Sequence, residues 1–191
     1  ATLSTYAAFA LTQSPTAVTG AQNGTASNLL IDSCQITGGY YGLCLGGNGL
    51  TMGVRPSNNT VRYTTISNFY FYGVYAYGHN DLVFEYNDIN RLSRAAVSTC
   101  YGFYNFGRSP GLKFVGNKIH DLGGSSGTAA FTAYPFYCAS TSGTLASPAL
   151  IANNAIYNVN NLGSLVYGMY MLTSDTMNVL HNTIDLNSTT G

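Results

Sequence analysis

Residues 84–89 read FEYNDI: an apolar residue, an isoleucine five positions later, and an asparagine two positions before that isoleucine. The same pattern returns three times, in FVGNKI (114–119), IANNAI (151–156) and VLHNTI (179–184). Two earlier segments keep the apolar and isoleucine positions but replace the asparagine, namely IDSCQI (31–36) and VRYTTI (61–66). Six copies of one short pattern predict a fold that is built from repeated units.

A second pattern, tyrosine–glycine followed by apolar residues, alternates with the first along the chain. It is found in YGLCL (41–45), YGVYAYG (72–78), YGFYNF (101–106) and YGMYML (167–172), and as YPFYC (134–138) with proline in place of glycine. The shortest repeat, from Ile66 to Ile89, spans 23 residues, and longer repeats carry insertions between the two patterns. Such a unit is typical of one turn of a parallel β-solenoid.

Charged residues at equivalent positions support this register. Four positions before the closing isoleucine, successive repeats carry Asp32, Arg62 and Glu85, and one position before it Asp88 is followed by Lys118. Equivalent positions in stacked turns lie about 4.8 Å apart. Opposite charges in one column therefore attract each other, as cross-strand pairs do.

In these patterns the chain resembles the right-handed parallel β-helix repeats of pectate-lyase-like proteins, over residues 28–186. The position two before the isoleucine resembles the asparagine ladder of that family and holds Asn87, Asn117, Asn154 and Asn182. Asparagine tolerates the left-handed backbone that we expect at this corner. Cys34 and Thr64 hold this position in the first two repeats, so the ladder is expected to begin late.

Three segments also look like repeats of very large secreted surface proteins from bacteria that use the type IX export route: NDINR (87–91), NKIHDL (117–122) and VLHNTIDLNSTT (179–190). We therefore predict an all-β fold, a right-handed parallel β-helix of about six turns with a minimum of roughly 22 residues each. Residues 1–27 are expected to form an irregular first turn or a cap. Residues 28–191 are expected to form the repeats, with an uncapped C-terminal end.

The alternation of side chains in a strand predicts which residues of each tyrosine–glycine strand face the core. Residues two and four after the tyrosine face inward: Leu43 and Leu45, Val74 and Ala76, Phe103 and Asn105, Phe136 and Cys138, Met169 and Met171. The glycine is expected to let the chain turn at a crowded corner. The residue three after the tyrosine faces outward: Cys44, Tyr75, Tyr104, Tyr137 and Tyr170.

The four outward tyrosines, Tyr75, Tyr104, Tyr137 and Tyr170, are the candidate ligand-binding residues. Their rings offer a platform on which sugar rings stack. The alternative is that the stacked rings stabilise the sheet, or that a loop or a neighbouring subunit covers them. An exposed strip of four aromatic rings is a substantial apolar patch, and such patches usually contact a partner.

Composition limits the possible partners. Only 7% of the 191 residues are charged, and seven basic residues balance seven acidic ones. This argues against nucleic acid, which needs a basic face, and against an anionic membrane surface. No apolar run is long enough to insert as a membrane helix. Four cysteines without a CxxC pair argue against zinc and favour small buried residues over disulfides: Cys34, Cys44, Cys100 and Cys138.

No group of residues predicts catalysis, a cofactor or a metal site. Enzymes with the fold that the chain resembles cleave acidic polysaccharides with clustered carboxylates, often with calcium, and an arginine or lysine base. A glycosidase needs two carboxyl groups roughly 5–10 Å apart, and only Asp81, Glu85 and Asp88 lie close together in the sequence. The three histidines are expected to be turn or surface residues: His79, His120 and His181.

Two functions remain open. The first is a non-catalytic extracellular or cell-surface module, structural or adhesive, that forms part of a longer surface protein or of an end-to-end assembly. An open solenoid end exposes unpaired backbone and apolar core, so the rest of a longer chain or neighbouring subunits would cover it. The second is a carbohydrate-binding or polysaccharide-cleaving β-helix domain, and the missing carboxylate cluster favours the first.

Overall fold

In a computed structural model, the chain winds into a coil of short parallel strands. The structure describes residues 2–14, 16–19, 26–48, 54–126, 130–159 and 164–186. In chain order the strands are β1 (Ala7–Leu11), β2 (Leu30–Asp32), β3 (Gln35–Thr37), β4 (Tyr41–Leu45), β5 (Thr60–Arg62), β6 (Thr65–Ser67), β7 (Tyr72–Tyr77), β8 (Val83–Glu85), β9 (Asp88–Asn90), β10 (Cys100–Phe106), β11 (Lys113–Val115), β12 (Lys118–His120), β13 (Ala133–Ala139), β14 (Ala149–Ala152), β15 (Ala155–Tyr157), β16 (Met169–Leu172), β17 (Met177–Leu180) and β18 (Thr183–Ile184). A single turn of 3₁₀ helix, Gly124–Ser126, lies between β12 and β13.

Within these described ranges, the strands form three parallel sheets of six strands each. The tyrosine sheet contains β1, β4, β7, β10, β13 and β16; the second sheet contains β2, β5, β8, β11, β14 and β17; the third sheet contains β3, β6, β9, β12, β15 and β18. Strands follow one another in chain order within every sheet, so each turn stacks directly on the previous one. Five complete turns run from β2 to β16, and the prediction of an all-β parallel solenoid is confirmed.

The three sheets enclose a core in which equivalent residues stack on one another. The isoleucine that closes each repeat is paired in register from turn to turn, and Ile66, Ile89, Ile119 and Ile156 are fully buried. The inward positions of the tyrosine sheet are buried as predicted at Leu43, Leu45, Val74, Ala76, Phe103, Asn105, Phe136 and Cys138. In the last turn, Met169 and Met171 are only half-buried.

The predicted asparagine ladder runs along the corner between the second and third sheets. Asn117 Oδ1 accepts hydrogen bonds from the backbone N–H and from Nδ2 of Asn87, both at 2.9 Å. Asn154 Oδ1 accepts the same two bonds from Asn117 at 2.9 and 3.1 Å, and Asn182 Oδ1 accepts them from Asn154 at 3.0 and 2.8 Å. Because buried polar groups are costly unless they are paired, this continuous chain of bonds fixes the register of the turns.

The left-handed residue at this corner is not the ladder asparagine, contrary to the sequence-based expectation. It is the residue immediately before the ladder position, with φ from 48° to 68° in Ser33, Tyr63, Tyr86, Gly116, Asn153 and His181. The ladder side chain has to bond along the axis of the coil, so the backbone reverses one residue earlier. In the first turns Thr64 takes the ladder position, and its Oγ1 accepts a hydrogen bond from the backbone N–H of Cys34 at 3.3 Å.

The glycines of the tyrosine–glycine strands provide space, not a turn, which corrects the sequence-based expectation. A Cβ on Gly73 would lie 2.5 Å from the carbonyl oxygen of Gly102 and 2.8 Å from Cγ2 of Ile89. A Cβ on Gly102 would likewise lie 2.7 Å from Cγ2 of Ile119. Neither glycine has a positive φ. Each glycine therefore makes room for the closing isoleucine of the next turn, which explains why the two sequence patterns occur together.

Candidate functional site

The outward face of the tyrosine sheet carries two columns of tyrosine rings. The structure brings the four predicted residues into register, with successive ring centroids 5.4, 5.0 and 5.1 Å apart in the column Tyr75, Tyr104, Tyr137 and Tyr170. The second column was missed as a site and consists of the first tyrosine of each repeat, with centroids 5.1, 5.0, 4.8 and 5.3 Å apart: Tyr41, Tyr72, Tyr101, Tyr134 and Tyr167. We call these nine side chains the tyrosine array.

The rings of the tyrosine array pack in a herringbone. Tyr101 stacks on Tyr72 with an interplanar angle of 19° and on Tyr134 with an angle of 7°. Between the columns the rings are steeply inclined, with angles of 67° from Tyr101 to Tyr104 and 86° from Tyr101 to Tyr137. Both arrangements suit the quadrupole of an aromatic ring. The faces of a central ring are occupied by its neighbours, so the array offers a ligand mainly ring edges and hydroxyl groups.

Burial is deepest where the tyrosine array begins. Tyr41 is buried and Tyr72 is half-buried, whereas Tyr167 at the other end is 38% exposed. Desolvation, assisted by neighbouring rings, raises the pKa of Tyr41 and of Tyr101 to about 12. These phenols are therefore neutral near pH 7, so they act as hydrogen-bonding and stacking groups and not as phenolate bases.

A segment of the chain covers the first position of the predicted tyrosine column. Cys44 is in register with Tyr75, but it is fully buried, and its Sγ donates a hydrogen bond to the carbonyl oxygen of Val18 at 3.2 Å. The backbone at Val18 therefore lies over the outward face at this point. The expectation of buried cysteines without disulfides holds for Cys44, Cys100 and Cys138, which are free and buried, and it is wrong for Cys34, which is exposed.

A group of polar residues on the outward face of the third sheet was also missed as a site. His120 Nε2 lies 2.9 Å from Asp88 Oδ1, and its Nδ1 lies 2.6 Å from Asp121 Oδ2. The imidazole ring stacks on Tyr157, with centroids 4.8 Å apart, and Asn90 Nδ2 donates to Asp88 Oδ1 at 2.6 Å. We call Asp88, His120 and Asp121 the imidazole–carboxylate cluster. It was missed because Asp88 and Asp121 lie in successive turns.

Electrostatics in this cluster favour a charged imidazole. Burial lowers the pKa of His120, but the hydrogen bonds and charges of Asp88 and Asp121 outweigh this effect and raise it above its ordinary value. The hydrogen bond from His120 in turn lowers the pKa of Asp88. The expectation of a surface histidine is wrong for His120, which is 7% exposed, and for fully buried His79, whose pKa burial lowers to about 4.

The predicted charge columns are present only in part as ion pairs. Arg62 Nη2 lies 2.7 Å from Asp32 Oδ2, which confirms the first pair. Asp88 is in register with Lys118, as predicted, but Asp88 Oδ1 bonds to the imidazole of His120. The His120 imidazole, and not the Lys118 ammonium group, binds the Asp88 carboxylate, because the imidazole ring is held flat against Tyr157 within reach of it. The Lys118 side chain is exposed.

In the part of the chain that the structure describes, no group of three or more histidine, cysteine, aspartate or glutamate side chains is arranged to hold a metal ion. The same residues include no helix with the length and apolar character that are needed to cross a membrane.

Three stacked parallel sheets, a continuous asparagine ladder and a column of closing isoleucines define the class of parallel β-helix proteins. Residues 16–145, more than half of the chain, match the family model described as right handed beta helix region. The chain therefore belongs to this family, and the predicted right-handed parallel β-helix is confirmed. Comparisons with curated proteins and with solved structures gave no match.

Proposed function

We propose that this chain is a non-catalytic structural or adhesive module at the outside of a bacterial cell. It would act as a rigid rod segment of a secreted surface protein, of the kind exported by the type IX route. The observation that carries the proposal is the tyrosine array, in which nine rings from five successive turns stack mainly on one another. Rings that are packed in this way stiffen the coil along its axis.

The inward columns of the coil support a role in assembly. Ile151 and Ile156 are fully buried in the fifth turn, whereas the next residues of the same columns, Val179 and Ile184, are 43% and 45% exposed. Among the described residues, β17 and β18 are the last strands of their sheets, and exposed apolar side chains beside such an edge favour pairing with another strand. The proposed partner is therefore a further β-helical turn, supplied by a longer chain or by a neighbouring copy.

The scarcity of charge fits a surface that packs against partners. Only 7% of residues are charged and the formal net charge is zero, whereas freely soluble domains usually carry far more surface charge. Binding of glycans by the hydroxyl edges of the array would add adhesion to this structural role. The sugar platform at Tyr75, Tyr104, Tyr137 and Tyr170 stays a prediction, and Tyr170 is the ring of this column that lies at the more exposed end of the array, beside Tyr167.

A second candidate function is cleavage of a polysaccharide at the imidazole–carboxylate cluster. Asp88 and Asp121 converge on the two nitrogens of His120, beside the ring of Tyr157. Two carboxyl groups about 5–10 Å apart are the minimum that glycoside hydrolysis requires. Both carboxylates are engaged by the imidazole here, which favours the structural role over a reactive one.

A turnover experiment separates the two functions. The purified chain is incubated with polygalacturonate, alginate, xylan and cellulose, and the release of unsaturated products and of new reducing ends is followed. The structural proposal predicts no release above that of the Asp121→Asn variant. Release by the original chain that this variant abolishes would overturn the structural proposal and establish the cluster as an active site. Co-sedimentation with the insoluble polysaccharides measures adhesion independently of turnover.

A further inference from the structure

We propose that the tyrosine array is a site of oxidative cross-linking, where a peroxide-dependent oxidant joins tyrosines of successive turns into dityrosine. The inference rests on the alignment of the rings. Tyr101 and Tyr134 have centroids 4.8 Å apart and an interplanar angle of 7°, and Tyr134 and Tyr167 have centroids 5.3 Å apart and an angle of 4°. In-register parallel strands place the same ring atoms of successive tyrosines opposite each other, including the ortho carbons at which dityrosine forms.

Rings of the two columns of the array also lie close to one another. Tyr134 lies 5.3 Å from Tyr137 and 5.9 Å from Tyr170, measured between ring centroids, so each ring has neighbours in both columns. A radical that forms on one exposed ring can therefore pass to an adjacent ring until it meets a second radical. Tyr167, which is 38% exposed, is the natural point of entry for an oxidant.

The reaction balances with hydrogen peroxide and a haem peroxidase as the oxidising system. Each of two phenols gives up one electron and its hydroxyl proton, which yields two phenoxyl radicals. The radicals join through their ortho carbons, and the hydrogen on each of these carbons moves to the phenolic oxygen to restore two phenols. One peroxide molecule takes up the two electrons and two protons and leaves as two water molecules.

The thiol that lies beneath this face does not compete for the oxidant. The chain contains no tryptophan. Cys138 lies beneath the array, where it is fully buried and free, and burial raises the pKa of its thiol to about 12. The sulfur therefore remains a protonated thiol that is shielded from solvent, so an oxidant at this face meets the ring edges of the array before it meets Cys138.

The consequence of a cross-link is a covalent staple between neighbouring turns. A bond between Tyr101 and Tyr134 would join β10 to β13, which are already paired in register. Such a bond constrains the unfolded chain in the same way as a disulfide does, without cysteine chemistry. This stabilisation by a cross-link does not depend on whether the module binds glycans. The cross-linking proposal therefore goes beyond the proposed structural or adhesive function and does not require that function.

The experiment treats the folded chain with horseradish peroxidase and limiting hydrogen peroxide, and follows dityrosine by fluorescence and by peptide mass spectrometry. A second stacked pair provides the control: Tyr63 and Tyr86 lie away from the array, are 56% and 54% exposed, and have ring centroids 5.4 Å apart at 7°. The double variant Tyr63→Phe/Tyr86→Phe keeps the array intact. The variant Tyr134→Phe keeps the ring and its stacking but cannot form a phenoxyl radical.

We expect the oxidised protein to remain monomeric. Its digest should contain cross-linked peptides that join Tyr101 to Tyr134 or Tyr134 to Tyr167. The amount of dityrosine formed within the array should be unchanged in Tyr63→Phe/Tyr86→Phe. The cross-linked peptides that contain Tyr134 should disappear in Tyr134→Phe. The cross-linked monomer should also unfold at a higher denaturant concentration than the untreated chain. No dityrosine, dityrosine confined to covalent dimers, or dityrosine confined to Tyr63 and Tyr86 would each overturn the proposal.

Discussion

Removal of one rung of the asparagine ladder should destabilise the coil strongly. In Asn117→Ala, the backbone N–H of Asn87 loses its acceptor at 2.9 Å and the carbonyl oxygen of Phe84 loses its donor at 3.0 Å. Asn117 is fully buried, so water does not readily replace the amide. Each buried polar group that is left unpaired costs about 1–3 kcal/mol, so the two groups together give an expected loss of about 2–6 kcal/mol in the free energy of unfolding.

The loss is measured by urea denaturation, followed by circular dichroism and tyrosine fluorescence. The matched control is Asn178→Ala, because Asn178 is an exposed asparagine on β17, where a surface substitution changes stability by less than about 0.5 kcal/mol. Asn117→Ala should therefore unfold at a clearly lower urea concentration than Asn178→Ala. If Asn117→Ala unfolded within about 1 kcal/mol of Asn178→Ala, the ladder would not hold the turns in register as described.

Three further predictions follow from the same structure. Gly73→Ala should destabilise the coil by about 1–3 kcal/mol in urea denaturation, since overpacking has this cost and the added Cβ would lie 2.8 Å from Cγ2 of Ile89. Arg91→Met should lower the unfolding temperature, because buried Arg91 donates to the backbone carbonyls of three other residues at 2.7, 2.9 and 3.4 Å; an unchanged temperature would contradict this role. The raised pKa of His120 and the lowered pKa of Asp88 predict that this pair contributes most to stability between about pH 4 and pH 6.5. Its His120 part disappears as the pH rises through the folded pKa of His120, and its Asp88 part disappears as the pH falls through the folded pKa of Asp88. Buried His79, whose pKa is lowered to about 4, acts in the opposite direction, because the unfolded chain protonates this histidine first as the pH falls below about 6.5. The stability of the original chain minus that of His120→Gln therefore isolates the pair and should be greatest between about pH 4 and pH 6.5; a difference that does not change with pH would contradict the assignment.

The repeat landmarks were enough to predict the fold. The closing isoleucines occupy a fixed position in all six repeats, and the ladder asparagines do so in the last four, so their spacing reports the stacking directly. The left-handed corner residue could not be found in this way, because Ser33, Tyr63 and Gly116 share no side-chain chemistry. What they share is a backbone conformation that the adjacent ladder imposes.

Only one of the two tyrosine columns was predicted from the sequence as a candidate site. Strict alternation along a strand places Tyr101 on the same side as inward Phe103, so its outward position was not expected. The structure breaks this alternation at Gly102, which leaves Tyr101 beside Tyr104, with ring centroids 5.2 Å apart. The imidazole–carboxylate cluster was missed for another reason: it joins side chains of successive turns across a diagonal, whereas the sequence pattern was compared only at equivalent positions.

The exposed end of the coil provides the most direct test of the structural role. Negative-stain microscopy of the purified chain over a concentration series, beside the variant Val179→Lys, measures whether short rods join. The account predicts rods that lengthen end to end as the concentration rises, and short isolated rods for Val179→Lys, which places a charge in the exposed apolar column. Short isolated rods of the original chain at every concentration would contradict end-to-end assembly, in which a neighbouring copy supplies the covering turn.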